Sequence, residues 1–286
     1  MSLPMAPFWL GPLIALAIAG PALGCADEPA RVSEIYPTAS ELPENLLRFY
    51  VYFTRPMERR GVMTSIELRG EHGGAIPGVF LASRYELWSP DTRRLTLILD
   101  PGRVKTGLGS HQRLGRALKA GHRYTLSIGA DVLDSGGCPL AEGFEKTFIA
   151  TDEDRSPPSL DQWRVDLPTA GTRQALTLEL DGAFDHLSLA YRLRVKDSQG
   201  ELIAGAIELA EHETRWLFRP STPWRPVGHR LAVEPSLEDL AGNRPGRPFD
   251  LEVAERLAEQ DGSGSPLRSP VPPTDLPLEI SFAPIE

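Results

Sequence analysis

Histidine spacing shows first whether the chain can hold a metal ion. A His-x-His or His-Glu-x-x-His pattern places two imidazoles on one metal ion, and no histidine of this chain belongs to one. The six histidines lie far apart, at His72, His111, His122, His186, His212 and His229. The sequence also lacks the Gly-x-Ser-x-Gly turn of a hydrolase nucleophile, and Gly107-Leu108-Gly109 lacks the further Gly-Lys-Ser/Thr motif of a phosphate loop. We therefore predict no catalytic residue, no metal ligand, no cofactor and no enzymatic activity.

The N-terminus has the pattern of an export signal, which we place at residues 1–25. Residues 9–20 form an apolar stretch, and small residues follow up to Cys25. Ala22-Leu23-Gly24-Cys25 is similar to a bacterial lipobox, in which the cysteine becomes the lipidated first residue of the mature protein. The alternative is ordinary signal-peptide cleavage, after Gly24 or after Ala26. A disulfide between Cys25 and the one other cysteine, Cys138, is allowed in an exported protein. Because processing is expected to modify or remove Cys25, however, Cys138 is expected to be unpaired.

Composition restricts the class of protein and its partners. The 286 residues favour two domains, and 41% apolar with 24% charged residues allows each domain its own core. The net charge of −9 argues against nucleic-acid binding, which needs a basic face. No segment beyond the signal is long and apolar enough to cross a bilayer, so a lipid anchor is the only membrane contact that we predict.

The chain repeats itself, and the repeat indicates the architecture. The run 121–126, Gly-His-Arg-Tyr-Thr-Leu, returns at 228–233 as Gly-His-Arg-Leu-Ala-Val, an offset of 228 − 121 = 107. Each run precedes an acidic turn, Asp134 in the first and Asp239 in the second, an offset of 239 − 134 = 105. This period suits a whole small domain rather than a solenoid repeat, so we predict two tandem modules. The two Asp side chains are expected to accept backbone N–H bonds in their own turns.

Short apolar or alternating segments separated by turn residues favour an all-β fold. Each repeat contains several such segments at sandwich-like intervals; they include 47–53, 65–69, 95–99, 123–128 and 146–150 in the first repeat, and 176–180, 191–195 and 213–220 in the second. We predict a first sandwich over 26–152, a second over 153–253, and a disordered Pro/Ser/Gly-rich tail over 254–286, where a last strand at 276–282 is disfavoured by its prolines.

Extra residues in the first module form a predicted insertion over 100–120. Ser110 can cap a short helix from 111 to 119 that Gly121 ends, with Leu114, Ala117 and Leu118 facing inward. Insertions on a repeated scaffold often carry function. The structural alternative, in which the insertion covers one end of the sandwich, is favoured.

Several motifs at the start of the first module resemble a known family. Ile35-Tyr36-Pro37, then Leu42-Pro43-Glu44-Asn45, then 53–57 (Phe-Thr-Arg-Pro-Met) are similar to the opening of bacterial Ig-like domains of the S-layer (SbsA-type) family. The Tyr124-Thr125-Leu126 strand and the turn 239–243 (Asp-Leu-Ala-Gly-Asn) resemble its closing motifs. The resemblance implies an Ig-like sandwich and a non-catalytic surface-layer, adhesion or spacer role.

Two sets of side chains leave alternatives open. Asp152, Glu153 and Asp154 lie between the modules, where hard oxygens could share a calcium ion, although solvated linker charges are favoured. Three tryptophans could stack on a sugar; Trp88 and Trp216 lie at strand positions typical of the core, which leaves Trp224 as the best exposed candidate.

The function predicted from the sequence is a non-catalytic exported Ig-like protein, acting as a structural or interaction module at the bacterial cell envelope or secreted from it. Its partner is expected to be an envelope protein or a polysaccharide. The alternative is a polysaccharide- or peptide-binding protein that uses 100–120 and adjacent loops.

Overall fold

The computed structural model describes residue 25 and residues 28–81, 86–104, 115–245 and 278–285. Within these ranges the chain is built from β-strands that form two tandem sandwiches, each with its own hydrophobic core. The predicted all-β, Ig-like fold class is confirmed. Residues 1–24 of the predicted signal peptide lie outside the described residues.

The first sandwich packs two four-stranded sheets against each other. Their strand orders are β1-β3-β6-β5 and β2-β8-β7-β4, with only the β2–β8 pair parallel. The strands are β1 (Val32–Tyr36), β2 (Glu41–Pro43), β3 (Arg48–Phe53), β4 (Ile66–Gly70), β5 (Leu87–Trp88), β6 (Arg94–Ile98), β7 (Arg123–Ile128) and β8 (Phe144–Thr151). A 3₁₀ turn (Val62–Ser65) precedes β4, and one helical turn, α1 (Pro101–Val104), follows β6.

Alternating apolar residues explain why these strands bury one face. Phe49 and Val51 of β3 are fully buried, and the Phe49 ring lies 5.6 Å from that of Phe148 on β8 in the opposite sheet. The two sheets therefore share one core. Each fully buried large side chain contributes about 1.5–3 kcal/mol.

The second sandwich repeats the plan with one strand fewer. Its sheets have the orders β9-β10-β13-β12 and β11-β14-β15. The strands are β9 (Arg164–Asp166), β10 (Leu176–Glu179), β11 (Leu193–Lys196), β12 (Gly205–Ala210), β13 (Arg215–Pro220), β14 (His229–Val233) and β15 (Leu278–Phe282), with a 3₁₀ turn at Leu160–Gln162 and helix α2 (His186–Arg192). Trp216 on β13 lies at the centre of this core with no exposed surface.

The two acidic turns show the duplication in atomic detail. In the first, Asp134 Oδ1 accepts the N–H groups of Gly136 (2.8 Å) and Cys138 (3.0 Å). In the second, Asp239 Oδ1 accepts the N–H groups two and four residues on, at 2.8 and 2.9 Å. The predicted Asx role of both residues is confirmed. Each turn also has a glycine with positive φ at the same place, 79° at Gly137 and 83° at its counterpart.

Two local predictions are wrong within the described residues. Residues 278–285, predicted to be part of a disordered tail, form β15 and a further bridge at Ile285, because alternating apolar residues there reach the second core. Residues 115–119 of the predicted helix are not helical, and 111–114 lie outside the described residues. The helical turn of the insertion is α1, where Asp100 accepts the N–H of Gly102 at 2.7 Å.

Candidate functional site

A connected set of polar side chains lies where the two modules meet. We call the first part of it the ionic cluster: Arg48 and Tyr50 of β3, with Asp185, Glu238 and Arg244 of the second module. The Tyr50 hydroxyl donates to Asp185 Oδ2 at 2.8 Å, and Arg48 Nε lies 3.4 Å from the same oxygen. Arg48 also donates to Glu238, whose other oxygen pairs with Arg244 at 2.8 Å. One module thus supplies the phenol and a guanidinium, and the other supplies both carboxylates.

Local structure fixes the position of each partner. Arg48 and Tyr50 alternate along β3, so both side chains leave the same face of the sheet. Asp185 is the N-cap of α2, where its carboxylate accepts the N–H of Ser188 at 2.9 Å. The Asp185 N–H donates to the Glu238 carbonyl at 3.0 Å, which fastens α2 to the acidic turn.

Burial shapes the electrostatics of this cluster. Asp185 is 4% exposed, and burial raises its pKa despite the opposing effect of Arg48 and the Ser188 N–H bond. Burial and the neighbouring Asp185 likewise raise the pKa of Tyr50. For Arg48, burial alone lowers the pKa, but the carboxylates of Asp185 and Glu238 outweigh it and keep the guanidinium charged. Removing one partner would leave a buried charge unpaired, which is costly.

His186 extends the cluster into an aromatic pocket of the first module. Its ring stacks on Tyr36 with centroids 3.6 Å apart, and its Nε2 lies 3.1 Å from the Tyr52 hydroxyl. Burial, followed by the nearby Arg94 charge, lowers the pKa of His186 to about 4. The imidazole is therefore neutral at physiological pH, and it fills the space between two tyrosines.

A strained turn makes the second contact between the modules. Glu211, His212 and Glu213, between β12 and β13, have φ values of 51°, 58° and 61°. A non-glycine residue in this left-handed region costs about 1 kcal/mol or more. The turn holds Glu213 against Thr38, whose N–H and hydroxyl donate to its two carboxylate oxygens at 2.9 and 2.8 Å. Burial raises the pKa of Glu213, against the effect of these bonds and of the charge of Lys146.

The linker between the modules is held from both sides, which makes the third contact. Asn45 of the first module donates to the Asp154 carbonyl at 2.7 Å and accepts the Asp154 N–H at 2.9 Å. Asn243 of the second module donates to the same carbonyl at 3.1 Å. Beside these bonds, Leu240 of the second module packs into the core of the first. The joint is therefore a built interface rather than a free hinge.

The acidic residues of the linker are used in other interactions. Glu153 bonds to Arg116 and Arg155, which lower its pKa against the opposing effect of burial. Asp154 Oδ1 accepts the N–H of Ser156 at 2.9 Å. In the parts of the chain that the structure describes, no three His, Cys, Asp or Glu side chains are grouped so as to hold a metal ion.

The predicted unpaired state of Cys138 is wrong, because Cys138 forms a disulfide with Cys25. Cys138 ends the first acidic turn at the position that Asn243 has in the second. Asn243 bonds to the chain entering its module, at Asp154, and Cys138 does the same covalently at Cys25. A sulfur in a disulfide cannot also form the thioether of a lipid, so the disulfide and the predicted lipidation of Cys25 exclude each other.

Other sequence candidates are placed in structural roles. Trp224, the best candidate for an exposed, sugar-stacking tryptophan, is 3% exposed and donates from Nε1 to the Gln174 carbonyl at 2.7 Å, so it is packed in the core and offers no stacking face. The repeat-equivalent histidines differ: His229 is buried, whereas the His122 side chain is 55% exposed and lies 3.7 Å from Glu71. The shared repeat position of the two histidines therefore gives them no shared environment.

The insertion borders an open cavity of about 410 Å³ in the first module. Its lining includes Arg103, His122 and Tyr124. Arg103 is 6% exposed. Its guanidinium donates to the carbonyls of Pro77 (2.8 Å) and Gly115 (2.7 Å), so it holds together the two loops that contain these residues. Residues 105–114 of the insertion lie outside the described residues.

Sequence reasoning missed the ionic cluster altogether. Its bonded partners lie far apart in the sequence, as in the Arg48–Glu238 pair, which is separated by 190 residues. One local signal was present: Asp185 directly before the apolar-periodic stretch 186–192 is a helix N-cap pattern. Among the residues described, no helix is both long and apolar enough to span a membrane.

The solved structures to which this chain is similar share little of its sequence. The chain matches no protein-family model and no curated protein. Among solved structures, it is similar to the MG0-NIE-MG1 region of Escherichia coli alpha-2-macroglobulin, with 13% identity, 78% of this chain and 70% of that chain covered, and a TM-score of 0.29. It is also similar to the N-terminal Ig1-2 module of the Drosophila receptor protein tyrosine phosphatase DLAR, with 12% identity, coverage of 73% and 93%, and a TM-score of 0.24.

Proposed function

We propose that the chain is an exported bacterial protein whose two Ig-like sandwiches act as one rigid, non-enzymatic structural or interaction module at the cell envelope. The observation that carries this proposal is the threefold contact between the modules: the ionic cluster, the Thr38–Glu213 contact and the clamp on Asp154. A fixed joint suits a spacer or adhesion unit, because it keeps the two sandwiches at a constant separation.

Export is supported by two independent features. Residues 9–20 have the composition of a signal-peptide core. The Cys25–Cys138 disulfide is of a kind that forms in oxidising compartments outside the cytosol. The similarity of 35–57 to the S-layer (SbsA-type) Ig-like domains supports an envelope role.

Mass spectrometry of the native protein, with cell fractionation, tests this proposal. We expect removal of 1–24 and recovery in the envelope or the medium. The mass of the N-terminal peptide decides between lipid on Cys25, which leaves Cys138 reduced, and the disulfide without lipid. Retention of 1–24 together with two free thiols in the cytosol would contradict export.

The cavity beside the insertion supports a second candidate, binding of a polysaccharide or peptide. Lys119 and His122 line it together with Glu71, which offers both donors and acceptors to a polar ligand. Calorimetric titration with envelope polysaccharide fragments tests it, with His122→Ala as the matched variant. Binding that His122→Ala leaves unchanged, or no binding at millimolar ligand, would contradict this candidate.

A further inference from the structure

The outer edge of β14 is covered by a strand that arrives from far along the chain. β15 pairs with the whole of β14, from His229 opposite Phe282 to Val233 opposite Leu278. Its place corresponds to that of β8 in the first module, where β8 pairs with β7. β8 follows β7 after the 15 residues 129–143, whereas β15 follows β14 after the 44 residues 234–277.

A nearer segment has the sequence pattern expected for the same edge. Residues 249–253, Phe-Asp-Leu-Glu-Val, correspond to 144–148 of β8 at the offset of the acidic turns, 249 − 144 = 105. They alternate apolar and acidic residues, the pattern of a half-buried strand. The chain therefore contains two segments, 249–253 and 278–282, whose sequences suit pairing with the β14 edge. The segment further along the chain, 278–282, occupies that edge.

The contacts that hold this last segment against the second module are all made by residues 278–285 themselves. Phe282 is 8% exposed, and its ring packs against those of Trp224 (5.8 Å) and His229 (5.5 Å). Glu279 pairs with Arg230 at 3.3 Å, on the same face of the strand pair. Ile285 donates its N–H to the Pro168 carbonyl at 2.9 Å and accepts the Ala170 N–H at 2.8 Å.

We propose that β15 is an exchangeable strand, so that residues 278–285 of one copy occupy the β14 edge of a second copy. Strand addition of this kind takes its affinity from main-chain hydrogen bonds and its register from side-chain pockets, and both lie within 278–285. The 32 residues 246–277 that precede the strand can extend to about 100 Å, enough to reach a neighbouring copy.

The protein concentration decides whether β15 pairs with the β14 edge of its own chain or with that of another copy. A linker of this length gives its own strand an effective concentration in the millimolar range, so a dilute chain closes on itself. Copies packed at millimolar density exchange strands, either reciprocally in a closed dimer or one after another in a head-to-tail array, because the donor segment and the acceptor edge are different surfaces. This inference goes beyond the proposed function and does not depend on it.

Cysteine pairing between full-length copies tests the exchange. One tagged copy carries Arg230→Cys and a differently tagged copy carries Ser281→Cys, because these residues lie opposite each other across β14 and β15. Directly opposed antiparallel residues are within disulfide range. After mixing at about 1 mM and mild oxidation, we expect a heterodimer cross-linked through these two positions, identified by peptide mass spectrometry, whose yield falls on dilution to micromolar concentration.

The first module provides the matched control. Arg123→Cys and Ile149→Cys are at the equivalent opposed positions of β7 and β8, where the connection is short. We expect the 230/281 pair to give at least about tenfold more heterodimer than this pair at the same concentration. A single chain with both Arg230→Cys and Ser281→Cys must form the bond internally when dilute. Internal bonding with no excess heterodimer would overturn the proposal, and so would the absence of internal bonding.

Discussion

Acidification should loosen the module junction through His186. The imidazole is stacked on Tyr36 and bonded to Tyr52, and burial lowers its pKa to about 4 from the ordinary value of 6.5. The unfolded chain then binds a proton near pH 6.5, while the folded chain resists it until about pH 4. Stability from this group is therefore complete above the unfolded pKa and is lost as the pH falls towards 4.

The magnitude follows from the two pKa values. Each unit of difference corresponds to about 1.36 kcal/mol, so a difference of about 2.5 units sets an upper limit of about 3.4 kcal/mol. At pH 4 the folded group is half protonated, and the loss relative to pH 8 is about 3 kcal/mol. Other carboxylates titrate in the same range, so the effect of His186 must be isolated as a difference between variants.

Urea unfolding of three proteins between pH 8 and pH 4 makes that comparison. His186→Phe keeps an aromatic ring against Tyr36 but does not titrate, so we expect the wild type to lose about 3 kcal/mol more than this variant. Tyr52→Phe removes the hydrogen bond but keeps the imidazole, so it should retain the pH dependence of the wild type. Parallel pH profiles for wild type and His186→Phe would refute the buried, neutral imidazole.

Three further predictions concern the acidic turns and the disulfide. Burial raises the pKa of Asp239 to about 7. The stability that Asp239 contributes should therefore fall by up to about 4 kcal/mol as the pH rises from about 4 to 7, and Asp239→Asn should abolish this pH dependence of the unfolding free energy. Gly242→Ala should destabilise the second module by about 1 kcal/mol in calorimetry, since the position has positive φ, and a neutral effect would contradict the left-handed backbone of the second acidic turn. Cys138→Ser opens a loop that spans 113 residues and should cost about 4–5 kcal/mol in chemical unfolding; equal stability to the oxidised wild type would show that the disulfide does not form.

Local patterns in the sequence were sufficient for the regular parts of the fold. The alternation in 123–128 predicted β7 with the bounds that the structure has. The two Asp turns followed from short-range turn chemistry, because the carboxylate of each binds N–H groups two and four residues on. Helix α2 was missed because the segment 191–195 read as one strand, whereas the strand begins at Leu193.

Long-range pairing set the limit of prediction. Tyr50 and Asp185 are separated by 135 residues, and nothing near either residue indicates the other. The prolines around 277 argued against a last strand, but hydrogen bonding to β14 and burial of Phe282 outweigh that local preference. Trp224 lies between loop residues, yet tertiary packing buries it.

The rigid joint between the modules is tested most directly by a distance distribution. Spin labels at Glu145→Cys and Arg164→Cys place one probe on each module, at side chains that are 60% and 77% exposed. Pulsed electron spin resonance should give a single narrow distance peak, which broadens when Asp185→Ala removes the shared carboxylate of the ionic cluster. A broad distribution in the protein with an intact Asp185 would contradict a fixed joint.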